Sequence, residues 1–386
     1  MSQNLDQVLT RGVKEILPSK EALSKLLQKK KIRLYLGIDP TGTKLHLGHT
    51  IPLRKLAQFA KLGHEAILVI GTGTVLAGDP SQRSEARKKI TKDEIEENIK
   101  TWKEQAGKIL DFNKIKIEYN GDWLLKLNLA EIIEIASHIS AIQLFKRDMF
   151  TKRLEKGDTV WLHEVLYPVL QGYDSVVLNV DLEIGGTDQT FNMLMGRELA
   201  KKMANREKYV LTVPMITGVD GKQMSKTSGN CVWLTDAPSD MFGKLMSIAD
   251  SQIVPYVTLL TDLQTEKTKS LPPLQAKKQL AAEIVRIYYS ENEANKAKTE
   301  FEKVFQRREL PQDISIFRPK GKSYGILKLL IETDLLSSKS EAKRLIREGA
   351  IEVNQIKIED LNQNIKLKNG TVIKVGKHRF IKIKTD

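Results

Sequence analysis

The stretch LGIDPTGTKLHLGHT, residues 36–50, sets His46 and His49 three apart around Gly48, with Asp39, Pro40, Thr41 and Gly42 just before them. Almost 180 residues downstream, DGKQMSKTSGN, residues 220–230, gathers Lys222, Ser225, Lys226 and Thr227 in a polar, glycine-bracketed loop expected to be exposed. Three readings fit the histidine pair. Histidines at this spacing on a helix can share a metal ion, but no third ligand is spaced to match, so no metal is expected. Two polar side chains can also serve a helix cap. The third reading is anion binding. A strand end, a Gly/Pro turn and a helix N-terminus leave free backbone N–H groups and a positive dipole end facing a ligand. Imidazoles add donors for phosphate oxygens, and Gly48 lets a flat ring approach the backbone. The downstream loop adds flexible cations and short hydroxyls, which suit a triphosphate whose charge grows in a transition state. No P-loop and no dinucleotide glycine fingerprint occurs.

A second constellation lies midway. In YPVLQGYD, residues 167–174, the spacings of four and three put Tyr167, Gln171 and Asp174 on one face if the segment is helical. Leu162, Val165, Leu166, Val169 and Leu170 surround them with apolar side chains. EIGGTDQTFN, residues 183–192, then presents Asp188 and Gln189 after a strand. Convergent polar groups in an apolar surround describe a small-ligand pocket.

The elements that must position these residues alternate in type. Residues 5–30 read as basic and helical, and IRLYLGI, 32–38, as a strand. Residues 47–62 follow as a helix, and EAILVIG, 65–71, as a strand covered on both faces. A charged amphipathic helix is expected at 92–110, with strands at KIKIEY, 114–119, DSVVLNV, 174–180, and KYVLTVP, 208–214. GTG, 71–73, reads as a close-approach turn lining the same crevice. The alternation predicts an α/β fold with a doubly wound, Rossmann-like parallel sheet. Its ligands should bind beyond the carboxyl ends of the strands, where strand order reverses. This catalytic domain is expected over 1–233, a helical domain over 234–308, a linker over 309–322, and a small basic α+β domain over 323–386.

Bulk properties narrow the class. One cysteine among 386 residues excludes an intrachain disulfide and fits a reducing compartment. No run of 18 apolar residues and no apolar signal core occurs, so a cytoplasmic protein without membrane contact is expected. The net charge is +14, and from Gly321 to Asp386 the chain carries 14 Lys/Arg against 8 Asp/Glu. In SKSEAKRLIREGAIEVN, Ser340 is expected to cap a helix with Leu345 and Ile346 inward. Lys339, Lys343, Arg344 and Arg347 are the candidate RNA contacts, the last three along the outer side. TVIKVGKHRFIKIK alternates apolar and basic residues, as half-buried strands with a cationic face do. Structured RNA, met through shape and phosphates, is the expected partner.

HLGH followed far downstream by QMSKT resembles the paired signatures of class I aminoacyl-tRNA synthetases. YPVLQGYD and GGTDQ resemble the bacterial tyrosyl-tRNA synthetase family, and the basic tail is similar to that family's C-terminal RNA-binding domain. The resemblance implies attack by the tyrosine carboxylate on the α-phosphate of ATP, then transfer of tyrosine to the 3′ end of its tRNA. His46, His49 and Thr41 would meet the ATP phosphates, and Lys226, with Thr227, would stabilise the pyrophosphate. Gly48, Asp39, Lys222, Gln223, Met224 and Ser225 would complete the ATP site, with Asp188 near the ribose. Tyr35 and Asp174 would bind the substrate phenol. Asp79, Tyr167 and Gln171 would hold its ammonium, and Gln189 would support substrate and adenylate. ATP with Mg2+ would be a substrate, and no cofactor would be bound permanently. A homodimer is implied, with the helix expected around 129–150 (Leu129, Ile132, Ile133, Ile135) at its interface. Two departures stand out. Gln223 replaces the signature's first lysine, and Gln82 replaces glycine in GDPSQRSEARK. Gln223 keeps open a non-catalytic RNA-binding paralogue, and tryptophanyl-tRNA synthetase is the near neighbour in fold.

Overall fold

The structure, a computed structural model, describes residues 2–79, 91–145, 148–226, 228–303, 314–319, 321, 323–336, 338–376 and 379–385. Thr227, Gln82 and half of the 309–322 linker lie outside the described residues. The chain forms two compact units, Met1–Asp236 with Lys244–Tyr288, and Ala237–Gly243 with Tyr289–Asp386. The first unit therefore runs past the boundary expected at 233/234 and takes in the helices Ile253–Leu260 and Pro273–Tyr288.

The first unit is built on six strands: β1 (Glu15–Leu17), β2 (Arg33–Ile38), β3 (Glu65–Ile70), β4 (Ile115–Tyr119), β5 (Leu182–Gly186) and β6 (Tyr209–Val213). Their order is β1-β6-β5-β2-β3-β4. All neighbours are parallel except β1, which lies antiparallel on β6 at the edge. Leu34, Tyr35 and Leu36 on β2, and Ala66 through Ile70 on β3, are buried without alternation, as strands covered on both faces must be. Strand order runs from β2 through β3 to β4 on one side and from β5 to β6 on the other. It reverses between β2 and β5, so their carboxyl ends open one crevice.

Three expectations are corrected. Residues 5–30 are not one helix. Helix Ser2–Thr10 ends before Gly12 at φ +67°, β1 follows, and helix Lys20–Lys29 starts at Ser19, whose Oγ accepts from Ala22 N. DSVVLNV is not a strand. Helix Leu162–Val177 runs through most of it, because burying Tyr167 and Asp174 along one face, with Gln171 half-buried between them, overrides the β-preference of Val176 and Val177. The chain leaves that helix through Asn179 at φ +53° and enters β5 at Leu182. The single helix expected at 129–150 is instead Leu129–Ser137, Ala141–Phe145 and the start of Asp148–Glu155. Ile135 packs into a core with Leu144, Phe150 and Leu199, while Leu129 and Ile133 stay 72% and 60% exposed.

The second unit has its own core, including Leu329, Leu330, Ile346, Ile373 and Ile383. Helices Ile326–Glu332 and Lys339–Arg347 contribute to it, as does a five-stranded sheet. That sheet runs Ile356–Lys357, Ile351–Val353, Val372–Val375, Arg379–Ile383, Ser315–Phe317. Ile373, Val375, Ile381 and Ile383 point inward, and Lys374 and Lys382 occupy the alternate positions. Ser338 rather than Ser340 caps the second helix, its Oγ accepting from Glu341 N at 3.2 Å. Three residues from cap to bonded N–H is the geometry a cap requires, and Ser340 already lies inside the first turn. Lys339, Lys343, Arg344 and Arg347 are exposed on it.

Candidate active site

Helix Leu47–Lys61 begins directly after His46. His46 Nδ1 accepts from Gly48 N at 3.1 Å, and His49 Nδ1 accepts from His46 N at 3.1 Å. The two imidazoles cap the helix reciprocally. Burial, with Lys226 nearby, lowers the His46 pKa to about 3, and burial and His46 push His49 well below the usual range. Both rings are therefore neutral at working pH. Since each Nδ1 accepts a bond, each ring carries its proton on Nε2. The cap uses Nδ1 of each ring and leaves each Nε2–H as a donor. A Cβ on Gly48 would sit 2.9 Å from His46 Cε1, so the ring that needs the glycine is His46 itself.

A cavity of about 610 Å³ opens at the reversal between β2 and β5. It is lined by Asp39, Thr41, His46, Gly48, His49, Asp79, Tyr167, Gln171, Asp174, Asp188, Gln189, Met224, Ser225 and Lys226. Residues singled out from five separate stretches of chain thus meet at one place. Lys226 Nζ donates to Thr41 Oγ1 at 3.2 Å, joining the downstream loop to the turn before the histidines. That loop closes around Asn230, which is 2% exposed. Asn230 Nδ2 donates to Asp220 Oδ1, and its Oδ1 accepts from Ser225 N and Ser228 Oγ. Lys222 and Gln223 are exposed and do not line the cavity. Among the described residues, Lys226 is the one Lys or Arg on its wall.

The other end of the cavity is a polar network in an apolar wall. Asp174, 2% exposed, accepts from Asn120 Nδ2 at 3.0 Å and Trp123 Nε1 at 2.8 Å. Burial raises its pKa to about 8 against the pull of those two donors. Tyr167 OH donates to Asp39 Oδ2 at 3.0 Å, and Thr74 Oγ1 donates to Asp39 Oδ1 at 2.8 Å. A Cβ on Gly71 would overlap Asp39 Oδ1, which explains glycine in the GTG turn. Gln189 Nε2 donates to Asp79 Oδ2 at 2.7 Å and to Asp188 Oδ2 at 3.0 Å. Gln171 donates to Glu183 Oε1 and accepts from Asn192 Nδ2, both at 3.0 Å. Lys208, fully buried, pairs with Glu183 from behind and donates to Ser175 Oγ at 2.8 Å.

Tyr35 is the exception among the expected tyrosine ligands. It is fully buried and does not line the cavity, because its hydroxyl is taken by Ser175 Oγ at 3.0 Å and Gln171 O at 3.4 Å. Asn120, Trp123, Thr74 and Glu183 were not singled out from sequence. Asn120 directly follows β4 and Thr74 lies just beyond β3, so a scan of strand carboxyl ends would have found both.

The family model for class I tRNA synthetases (W and Y) matches residues 27–306. This chain belongs to that family. A model of the tyrosine–tRNA ligase SYY-like C-terminal domain matches this synthetase over residues 306–383. The synthetase is 43% identical to a tyrosine–tRNA ligase of Carboxydothermus hydrogenoformans, covering 98% of this chain and 97% of that one. It is 41% identical to one of Thermotoga maritima, covering 98% and 96%. A tyrosyl-tRNA synthetase of Archaeoglobus fulgidus, solved with L-tyrosine, shares its fold at a TM-score of 0.63. The identity there is 21%, over 77% of this chain and 99% of that one. A C-terminally truncated mitochondrial synthetase of Aspergillus nidulans does so at 0.68, with 20% identity over 78% and 94%.

Proposed function

We infer that the protein is a tyrosine–tRNA ligase. It activates L-tyrosine with ATP to tyrosyl-adenylate and pyrophosphate, then transfers tyrosine to the 3′ end of its tRNA. The observation that carries this reading is one cavity that brings the donors of His46, His49, Thr41 and Lys226 together with Asp174, Tyr167 and Gln171. The first group suits a triphosphate and the second a phenol with its ammonium. In this reading the neutral Nε2–H donors and Lys226 hold the phosphates, and positioning and charge compensation supply most of the catalysis. Magnesium enters with ATP as part of the substrate. Asp174 reads the phenol, Asp79, Tyr167 and Gln171 hold the ammonium, and Asp188 and Gln189 face the adenylate. Tyr35 supports the phenol end from behind, through Gln171 O. A buried acceptor left empty by phenylalanine is costly, so the hydroxyl alone can give roughly 10⁴–10⁵ discrimination.

The ligase works as a homodimer in the cytoplasm. Exposed Leu129, Ile133, Ile142 and Leu162 support the dimer, as an apolar surface that a second copy would cover. Among the described residues no helix is long and apolar enough to cross a membrane. Lys339, Lys343, Arg344 and Arg347 contact the tRNA. The deciding experiment is exchange of labelled pyrophosphate into ATP with tyrosine, phenylalanine or tryptophan. Exchange with tyrosine alone is expected. Exchange with tryptophan would overturn the phenol assignment. No exchange with any amino acid would favour a non-catalytic RNA-binding paralogue, the reading that Gln223 keeps open.

A further inference from the structure

The loop that carries Thr41 lies outside helix and strand from Asp39 to Leu45. One face of helix Lys92–Gly107 binds it repeatedly. Asn98 Nδ2 donates to Pro40 O at 2.8 Å. Thr101 Oγ1 donates to Thr43 O at 2.7 Å. Trp102 Nε1 donates to Gly42 O at 2.6 Å. Gln105 Nε2 donates to Thr43 O at 2.8 Å, and its Oε1 accepts from Leu45 N at 2.8 Å. The four positions follow the i, i+3, i+4, i+7 rhythm of one helical face. None of them lines the cavity. Asn98, Trp102 and Gln105 are buried, so their polar atoms are committed to these partners rather than to water. Trp102 makes two more contacts. Lys226 Nζ stands 5.6 Å from its ring centroid, within cation–π reach, and the His49 ring lies 6.4 Å away.

We propose that Asn98, Thr101, Trp102 and Gln105 form a clamp that fixes the 40–45 loop, and that Trp102 docks Lys226 beside Thr41 before ATP arrives. The clamp rests on the ligase reading above. In adenylate formation a carboxylate oxygen bonds to the α-phosphorus. The bond from that phosphorus to the α–β bridging oxygen breaks, and its electron pair leaves with pyrophosphate. An ammonium preset at that end compensates the charge without reorganising as it develops. Trp102 is then a positioning residue. It acts on the pyrophosphate side of the reaction through Lys226, and leaves the tyrosine end untouched.

The test is a double-mutant cycle on the full chain with single-turnover adenylate formation as readout. Trp102→Leu removes both the indole N–H and the ring face, and should slow the step by about 10- to 100-fold. KM for tyrosine should stay within about twofold, since no clamp residue touches that end. Trp102→Phe keeps a ring face and should recover part of the rate. In a Lys226→Ala background, Trp102→Leu should cost less than about threefold further, because residues acting as one unit are non-additive. An undiminished Trp102→Leu effect in that background, or a parallel rise in KM for tyrosine, would overturn the proposal. Should Trp102→Leu fail to fold, Asn98→Ala decides. A rise of about fivefold in KM for ATP is expected, and no change would overturn the clamp. Tyrosine-dependent exchange by the unaltered chain alongside unaffected variants would sink the clamp alone. Absence of exchange in the unaltered chain would sink the clamp and the ligase reading together.

Discussion

His46 and His49 show how one residue pair serves structure and site together. Each spends Nδ1 on the helix cap and keeps Nε2–H, and burial keeps both rings uncharged. Positive charge on the cavity wall therefore comes from Lys226 among the described residues. Lys226→Ala should lower single-turnover adenylate formation by about 10²- to 10³-fold, the usual size for a lost transition-state donor. Gln223 is exposed and outside the cavity wall, so Gln223→Lys should change that rate by less than about threefold. Stopped-flow comparison of the two variants checks both numbers. Asp174 gives a pH signature. Its folded carboxyl pKa is raised to about 8, so the free site is protonated at neutral pH. In the ligase reading Asp174 accepts the hydrogen bond of the phenol as a carboxylate, so tyrosine binding should release a proton. KM for tyrosine should fall as pH rises from about 6 to 8, and Asp174→Asn should flatten that slope. A KM that is pH-independent in the unaltered chain would contradict this role for Asp174.

Helix Leu162–Val177 and strand β5 show what elements add. The helix turns Gln171 toward Glu183 at the start of β5, and Lys208, just ahead of β6, closes the group from behind. Burial lowers the Lys208 pKa, and Glu183 opposes that shift. Gly196 makes room, since a Cβ there would overlap Lys208 Nζ. Lys208→Met leaves a buried carboxylate without its cation and should destabilise the first unit by about 3–5 kcal/mol, read from urea unfolding. Adding Glu183→Gln should recover part of that stability, since the stranded charge is then gone. The same logic explains why the 174–180 segment is helical. Isolated β-preference carries a few tenths of a kcal/mol per residue, whereas placing three polar side chains inside a satisfied network avoids a larger penalty for each.

At the scale of the whole molecule, the chain divides into two units, and the second has a core of its own. Helix Lys339–Arg347 turns Ala342 and Ile346 into the core of its unit and leaves its cations outside. Replacing Lys343, Arg344 and Arg347 together by alanine should weaken tRNA binding. The slope of log K against log salt should become shallower by roughly 0.7–0.9 for each phosphate that is no longer neutralised. A filter-binding salt series measures both. The apolar surface at Leu129, Ile133 and Ile142 predicts a second effect. Ile133→Lys should shift the protein from dimer to monomer in sedimentation equilibrium. A dimer that survives the substitution would move the interface elsewhere.

Much of this protein is legible without coordinates. The alternation of elements, the histidine pair, the QMSK loop, the Tyr-Gln-Asp face and the basic tail are all local patterns, set by spacing and side-chain type within a few residues. Local pattern also explains the errors. Val176 and Val177 read as strand because β-branching is visible in sequence while the partners of Asp174 are not. Ile135 and Ile133 look alike on a helix, and only packing assigns one to the core and leaves the other exposed. Tyr35 enters as a ligand only through the family resemblance, and in the fold Ser175, 140 residues away, holds its hydroxyl. The partners of Asp174 and the clamp on the 40–45 loop join residues more than 50 positions apart. Such pairings follow from the order of the strands and the packing of helices on them, and sheet order is a property of the folded chain that no short stretch of sequence carries.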